Sequence, residues 1–405
     1  MTPSPHRTTA IILLSSLLVF TGNGLLQTML PMRADLEHFS AAMIGQQGAA
    51  YFAGYIGGCL IGPWLIRSVG HIRALAGVVA ILASIILIFP VLVHPSIWLA
   101  LRLGTGCCLA ITVMALESWL NDQAENQNRG KMLSLYFIVS NLGWMMGQSA
   151  VNLWPLTDPT LFMLVTGLIC FAVAPVALTP TREPSQIPNA KLDLRGLLAL
   201  SPVGAIGAFL VGTTEGAFWT LGPVYGQQLG MSVFEVTVLM GSFVLGGTLS
   251  QWPIGHLSDN YDRRLVILPV VVLTITTGLI IALVGKLEFH LMVPVAILHG
   301  ALMVPIYSLC LAHVNDNAPT DQFVQVSGGL LLIFSTGAAI GPLTAAQAME
   351  YLGPGGLFIH NSAILAIFAL ILILRMLSHL NRRAHPYRYS LTTKTTQTIY
   401  ELDEP

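Results

Sequence analysis

The sequence predicts an all-α membrane protein of twelve transmembrane helices, set out as two pseudo-symmetric halves of six. Three observations predict it: scarce charge, apolar runs long enough to cross a bilayer, and Lys and Arg gathered on one side. Of the 405 residues, 54% are hydrophobic and 9% charged, and the mean hydropathy is +0.73. A soluble domain carries about 25% charged residues. So few charges cannot cover a surface facing water, which leaves lipid as the solvent for most of the molecule. A net charge of −1 gives no basic stripe for a nucleic acid.

A helix needs about 20 apolar residues to cross the hydrocarbon core. The first such run, 9–30, follows Arg7. No small-x-small cleavage site follows it, so it reads as a retained span rather than a signal peptide. The runs 42–66 and 74–93 flank a short turn with Arg67 and Arg73, and 97–119 encloses one cation, Arg102. The fifth run, 132–153, follows Arg129 and Lys131, and the sixth covers 160–179. Six more lie at 197–222, 233–254, 265–285, 291–311, 324–348 and 357–377. Helices are the expected form, because backbone groups in lipid must be satisfied within the segment or in a closed barrel. Barrel strands would show short alternating runs, and these runs are long and continuous.

Charge sets the orientation. With the N-terminus inside, fifteen of the 18 Lys and Arg fall in inner segments; Arg33 and Lys286 lie outside and Arg102 within a span. Both termini are then cytoplasmic. The polar stretch after Thr179 is rich in Pro and charge. It divides the chain into a first half (1–179), a linker (180–195), a second half (196–380) and a polar tail (381–405).

The halves repeat one another at an offset of about 190 residues. Gly57-Gly58, Pro63-Trp64 and a charged turn in the second span find counterparts in Gly246-Gly247, Trp252-Pro253 and the turn after the eighth. Gly143 and Gly147 of the fifth span match Gly337 and Gly341 of the eleventh. Glycines four apart allow helices to pack backbone to backbone. Six helices per repeat is an even number, so both halves face the same way in the membrane.

The turn Gly255-His256-Leu257-Ser258-Asp259-Asn260-Tyr261-Asp262-Arg263-Arg264 resembles a signature of the major facilitator superfamily, with Gly255, Asp259, Arg263 and Arg264 in the matching places. Asp262 stands where the second Gly of that signature belongs. The first-half copy departs further, with Arg67 in place of the Asp. Leu101-Arg102-Leu103-Gly104-Thr105-Gly106 resembles the superfamily's fourth-helix pattern, and Gly337 to Pro342 its fifth-helix pattern; Gly143 to Gln148 matches the latter except that Gln148 replaces Pro. The stretches Ala115 to Asp122, Asn128 to Lys131 and Ser250 to Gly255 resemble the YcaD-like branch of bacterial major facilitators.

The resemblance implies a bacterial inner-membrane secondary transporter. It would move a small solute by alternating access, with H+ as the coupling ion, as a monomer in the bilayer. A non-transporting receptor or scaffold on the same fold is the alternative. The resemblance also implies a cytoplasmic gate at Arg67, Arg73, Glu117, Arg129, Gly255, Asp259, Arg263 and Arg264. Glu117 is the expected partner of Arg67 or Arg129.

An intramembrane enzyme would need a catalytic constellation, and no HExxH or GxSxG is present. No Walker motif marks an ATPase. No cofactor or metal is expected. The five cysteines lie in apolar runs and read as packing residues.

Polar residues inside spans are the substrate and coupling candidates. They are Asn23, Gln27, Arg102, Asn141, Trp144, Gln148, Glu215, Trp219, His299 and Tyr307. Glu215 and His299 stand out, since burial changes the proton affinity of both residue types. Arg102 and Glu215 are expected to face one cavity and to pair.

Overall fold

The computed structural model describes residues 5–123, 129–178, 194–283, 289–316, 318 and 323–383. Most of the linker and most of the tail lie outside them. All the regular structure described is helical. The order is α1 (Pro5–Leu36), α2 (Ala41–Val69), α3 (His71–Ile88), α4 (Pro95–Gln123), α5 (Arg129–Ala150), a 3-10 turn (Val151–Leu153), α6 (Thr160–Ala177) and the short α7 (Leu194–Leu200). Then come α8 (Pro202–Gln228), α9 (Val233–Asn260), α10 (Arg263–Leu283), α11 (Phe289–Met303), α12 (Pro305–Asn315), α13 (Phe323–Leu352) and α14 (Gly356–Arg383).

Most helices outrun the apolar stretches that announced them. Hydropathy marks the lipid core, whereas a helix continues until a cap or turn stops it. Ser40 starts α2 by accepting from the Met43 N–H at 3.3 Å. Ser232 and Glu235 form a reciprocal capping box at α9. The α2–α3 junction turns on Gly70 at φ 87°, a conformation that favours glycine.

Two departures from the expected spans have proline as their cause. The seventh run begins as α7, breaks at Ser201 and resumes as α8 with Pro202 in its first turn. The tenth run is two helices, α11 and α12, divided at Val304. Pro305 has no N–H to give the preceding turn, so the helix restarts there.

The helices α1 to α6 pack among themselves, as do α8 to α14. Glycine makes the tightest contacts in both groups. A methyl at Gly147 would stand 2.1 Å from the Thr21 carbonyl oxygen, and one at Gly341 would stand 1.9 Å from that of Thr213. The α1–α5 contact and the α8–α13 contact are thus equivalent, as the repeat predicts. The α2–α4 contact at Gly54 and Gly106 likewise matches α9–α11 at Gly246 and Gly300. Gly255 makes no such approach; its Cβ position has open space around it. Its place in the motif therefore reflects something other than helix packing.

The two groups meet along α2 with α13, α5 with α9 and α1 with α8. Hydrogen bonds join them at the face carrying the α1–α2 turn. Gln228 donates to Asp35 at 3.3 Å, the Ala42 N–H to Glu350 at 3.3 Å, and Asn152 to Thr237 at 2.8 Å.

The outer surface is apolar. Phe171, Leu178, Trp252 and Leu283 are all widely exposed, and so is Trp64, the repeat counterpart of Trp252. Soluble monomers rarely expose contiguous apolar patches beyond a few hundred Å². Ten of the described helical segments, with α11 and α12 taken as one, are long and apolar enough to cross a membrane. The more polar α5 and α8, at 22 and 27 residues, lie outside those ten. They are also the two helices that supply the tryptophans at the seam.

Candidate substrate cavity

Two cavities lie where the groups meet. The first, about 170 Å³, has Gln27 of α1, Tyr51 and Phe52 of α2, Trp144 of α5, Phe334 of α13, and Glu215, Trp219 and Thr220 of α8 on its walls. The second, about 200 Å³, lies between Phe137, Asn141 and Trp144 of α5, Trp219 of α8, Val244 and Thr248 of α9, and Val304 at the α11–α12 break. Trp144 and Trp219 line both. Their ring centroids are 5.7 Å apart and the planes meet at 68°. This edge-to-face geometry suits the aromatic quadrupole.

Local structure sets Glu215. The hydroxyls of Thr213 and Thr214 fold back onto the Phe209 and Val211 carbonyls, both at 2.9 Å, so neither competes for the cavity. Gly212 and Gly216 bring the α13 backbone close, with Phe334 and Ala338 opposite. The Glu215 carboxyl is left beside the Trp219 indole, one turn further along α8.

Arg102 takes up a different arrangement from the expected pair. It is 3% exposed. Its guanidinium donates to Gln27 Oε1 at 2.7 Å and to the Gln47 carbonyl at 3.5 Å, and lies 4.4 Å from the centre of the Tyr51 ring. Asn23 and Gln27 both stand within reach of the Tyr51 hydroxyl. No ion pair among the described residues joins Arg102 to Glu215. The reason is geometric: α1 and α2 enclose the guanidinium with an amide oxygen, a carbonyl and an aromatic face, and Nη1 is buried without a hydrogen-bond partner among the described residues. Gln27 and Tyr51 connect this cluster to the first cavity.

The other candidates divide. Asn141 lines the second cavity. Tyr307 stands against Phe334, ring centroids 4.8 Å apart, behind the wall of the first. Gln148 is buried, contributes to neither cavity wall, and has no protein partner for either amide atom. His299 is also off the cavity. Its Nδ1 is 2.8 Å from the Thr277 hydroxyl, and its ring packs edge-on against Phe243 and Phe358. It lies inside the α8–α14 group, where its face of α11 turns toward α9 and α10, and its Nε2 is buried without a hydrogen-bond partner among the described residues.

Sequence reasoning missed Tyr51, Phe52, Thr220 and Phe334. A signal existed for Tyr51. Gln47, Tyr51 and Tyr55 recur every four residues along α2, which places them on one face.

At the opposite face, Arg263 binds three side chains. Nη1 meets Ser258 at 3.0 Å and Asp259 at 3.3 Å, Nη2 meets Asp316 at 3.1 Å, and Nε also pairs with Asp316. The motif therefore ties the α9–α10 turn to the end of α12, and Asp316 is a partner the motif does not include. Arg264 offers its backbone N–H to Asp262 at 3.0 Å. At the equivalent place in the first group, His71 Nε2 meets Ser118 at 3.1 Å. Arg67 and Arg73 are exposed beside it, and the Arg129 side chain lies outside the described residues. Glu117 accepts a hydrogen bond from Tyr136 at 3.0 Å, bridging α4 and α5. Among the described residues no cluster could hold a metal ion.

Apolar membrane-length helices in two like groups, with a cavity at their seam, define a polytopic membrane transporter. The chain belongs to the Major Facilitator Superfamily, whose family profile matches twice, over residues 12–203 and 204–396. It is similar to the uncharacterised MFS-type transporter YcaD of Escherichia coli O139:H28, with 27% identity over 373 residues, 91% of this chain and 96% of that protein. Among solved structures, nucleoside transporter NupG matches with TM-score 0.78 and 13% identity, over 91% of this chain and 99% of that one. A D-xylose-proton symporter matches with TM-score 0.69 and 13% identity, over 91% and 97%.

Proposed function

We propose that this chain is a proton-coupled secondary transporter that binds a small solute at the seam of two six-helix halves. The halves are 1–179 and 196–380, with 180–195 as linker, 381–405 as tail, and both termini on the cytoplasmic side of a bacterial inner membrane. α5 and α8 complete a set of twelve spans. The protein works as a monomer. One observation carries the reading: Trp144 from one half and Trp219 and Glu215 from the other share a cavity wall. A site built from both halves changes when they rock, which is what alternating access requires.

The hydrogen bonds at Asp35, Ala42 and Asn152 close the face that the charge distribution assigns to the outside. In this reading the molecule is outward-closed. The residues expected at the gate remain candidates, with Arg263 and Asp316 as its second-half brace and His71 and Ser118 as its counterpart.

Glu215 is the proposed coupling group. The test is solute-driven proton flux in proteoliposomes holding a pH dye, screened with pooled solutes. Wild-type protein should acidify or alkalinise the lumen for at least one pool, and Glu215→Gln should abolish that signal. Equal proton flux in the variant would remove Glu215 from the role. Solute binding without flux from any pool would favour a receptor.

A further inference from the structure

Resting on that reading of the cavity, the structure assigns its substrate class: we propose that the site takes an organic monocation with an aromatic body and exchanges it for one proton at Glu215.

The inference begins with what the cavity lacks. A carboxylate in a low-dielectric site must be neutralised by a cation or a proton. The nearby cation of the sequence, Arg102, is 3% exposed and lines neither cavity; Gln27, the Gln47 carbonyl and the Tyr51 ring hold it, and its remaining nitrogen, Nη1, is buried. Among the described wall residues of the two cavities there is no Lys, Arg or His. The titratable groups near Glu215 are Tyr51 from α2 and, behind Phe334, Tyr307 from α12. From α1, α5, α9 and α13 the walls receive amides, hydroxyls and apolar groups. A substrate anion would meet Glu215 with no cation on the described cavity walls to offset it, and a neutral solute would leave the Glu215 charge without a counter-ion.

The walls suit a cation with a ring. Tyr51, Phe52, Trp144, Trp219 and Phe334 surround the carboxyl side. Aromatic faces attract organic cations within about 6 Å of the ring centre, most strongly where water is excluded. The two volumes together fall near the lower end of the roughly 300–1,000 Å³ typical of small-molecule sites. That suits a compact one- or two-ring cation.

The exchange balances. With the proton bound, Glu215 is neutral and the cavity is free of net charge. The cation enters, the proton leaves Glu215 for the aqueous phase on the open side, and the carboxylate and cation form a neutral pair. One proton moves against one cation, so a turnover carries no net charge.

The test uses the full chain in proteoliposomes with N-methylphenylpyridinium, a permanent aromatic monocation. Biphenylcarboxylate and uridine serve as the anionic and neutral probes. The expected result is uptake of the cation driven by an imposed pH gradient, with matching proton movement and less than a twofold response to an imposed membrane potential. Binding of the cation should weaken by up to tenfold per pH unit on acidification, the limit for displacement of one proton. Glu215→Gln should lower uptake at least tenfold, while Glu215→Asp retains pH-driven exchange and controls for folding. Cation binding that ignores pH, or survives unchanged in Glu215→Gln, overturns the proposal. Transport of uridine or biphenylcarboxylate but not of the cation overturns it too, and leaves the transporter reading intact. Failure of all three probes to bind or move overturns it and weakens the transporter reading as well.

Discussion

Trp144 and Trp219 meet edge to face across the seam, one from each half, and their pair divides the central space into two cavities. Neither ring can move without changing both spaces. Rocking of the halves would part the pair, because α5 and α8 belong to different bodies. The pair is therefore both a wall of the site and a measure of the conformation.

Truncating either ring should join the cavities and weaken substrate binding. An aromatic pair contributes about 0.5–1.5 kcal/mol beyond its buried area, and a cation–π contact adds about 0.5–2 kcal/mol. Trp219→Ala is expected to lower affinity about tenfold or more, and Trp219→Phe by less. Equilibrium binding of the transported solute checks this. Equal affinity in wild type and Trp219→Ala would place the solute elsewhere.

The Arg102 cluster predicts an asymmetry in stability. Gln27→Leu removes an acceptor from a buried guanidinium that stays charged. Leaving a buried charged donor unsatisfied costs more than the roughly 1–3 kcal/mol of a neutral group. Arg102→Leu instead leaves neutral acceptors unpaired, at about 1–3 kcal/mol. Gln27→Leu should therefore have the lower melting temperature in detergent. The reverse order would mean that Arg102 is solvated in the resting protein.

Gly341 and Gly255 should respond oppositely to alanine. A Cβ at Gly341 falls on a backbone oxygen that cannot move without separating α8 from α13. Gly341→Ala is expected to reduce the yield of folded, monodisperse protein severely, since overpacking costs about 1–3 kcal/mol or more. Gly255→Ala meets open space and should stay within about 0.5 kcal/mol of wild type. Thermal unfolding of the two purified variants decides it. A destabilised Gly255→Ala would show that this position does serve as a helix contact.

The repeat explains why so much of the fold was legible. Gly147 and Gly341 were readable as packing sites because the same glycines recur in both halves, and glycine spacing on a helix fixes its face whatever lies opposite. The apolar runs were readable because lipid imposes one length on every span. The boundaries were less so: α9 runs past the residue where hydropathy falls and stops only at Tyr261. The α11–α12 break was visible in Pro305 but was obscured by the apolar residues around it.

The site was half legible. Composition marked Glu215, Trp144 and Trp219 as unusual inside a span, and their helices bring them together. His299 carried the same mark and lies elsewhere: Thr277 on a neighbouring helix meets its Nδ1, while its Nε2 is buried without a hydrogen-bond partner among the described residues. Arg102 shows the limit most clearly. Its presence within the membrane was fixed by the chain, and so was the need for a partner. Which partners it took was decided by the packing of α1 and α2 around it, which sets an amide oxygen, a carbonyl and an aromatic face against the guanidinium. By itself the sequence determined the number of long apolar runs, their pairing into a repeat and the glycines that let them pack, all of which depend on spacing along the chain. Only the tertiary structure decided which polar groups face the seam, because that depends on the rotation of each helix against its neighbours.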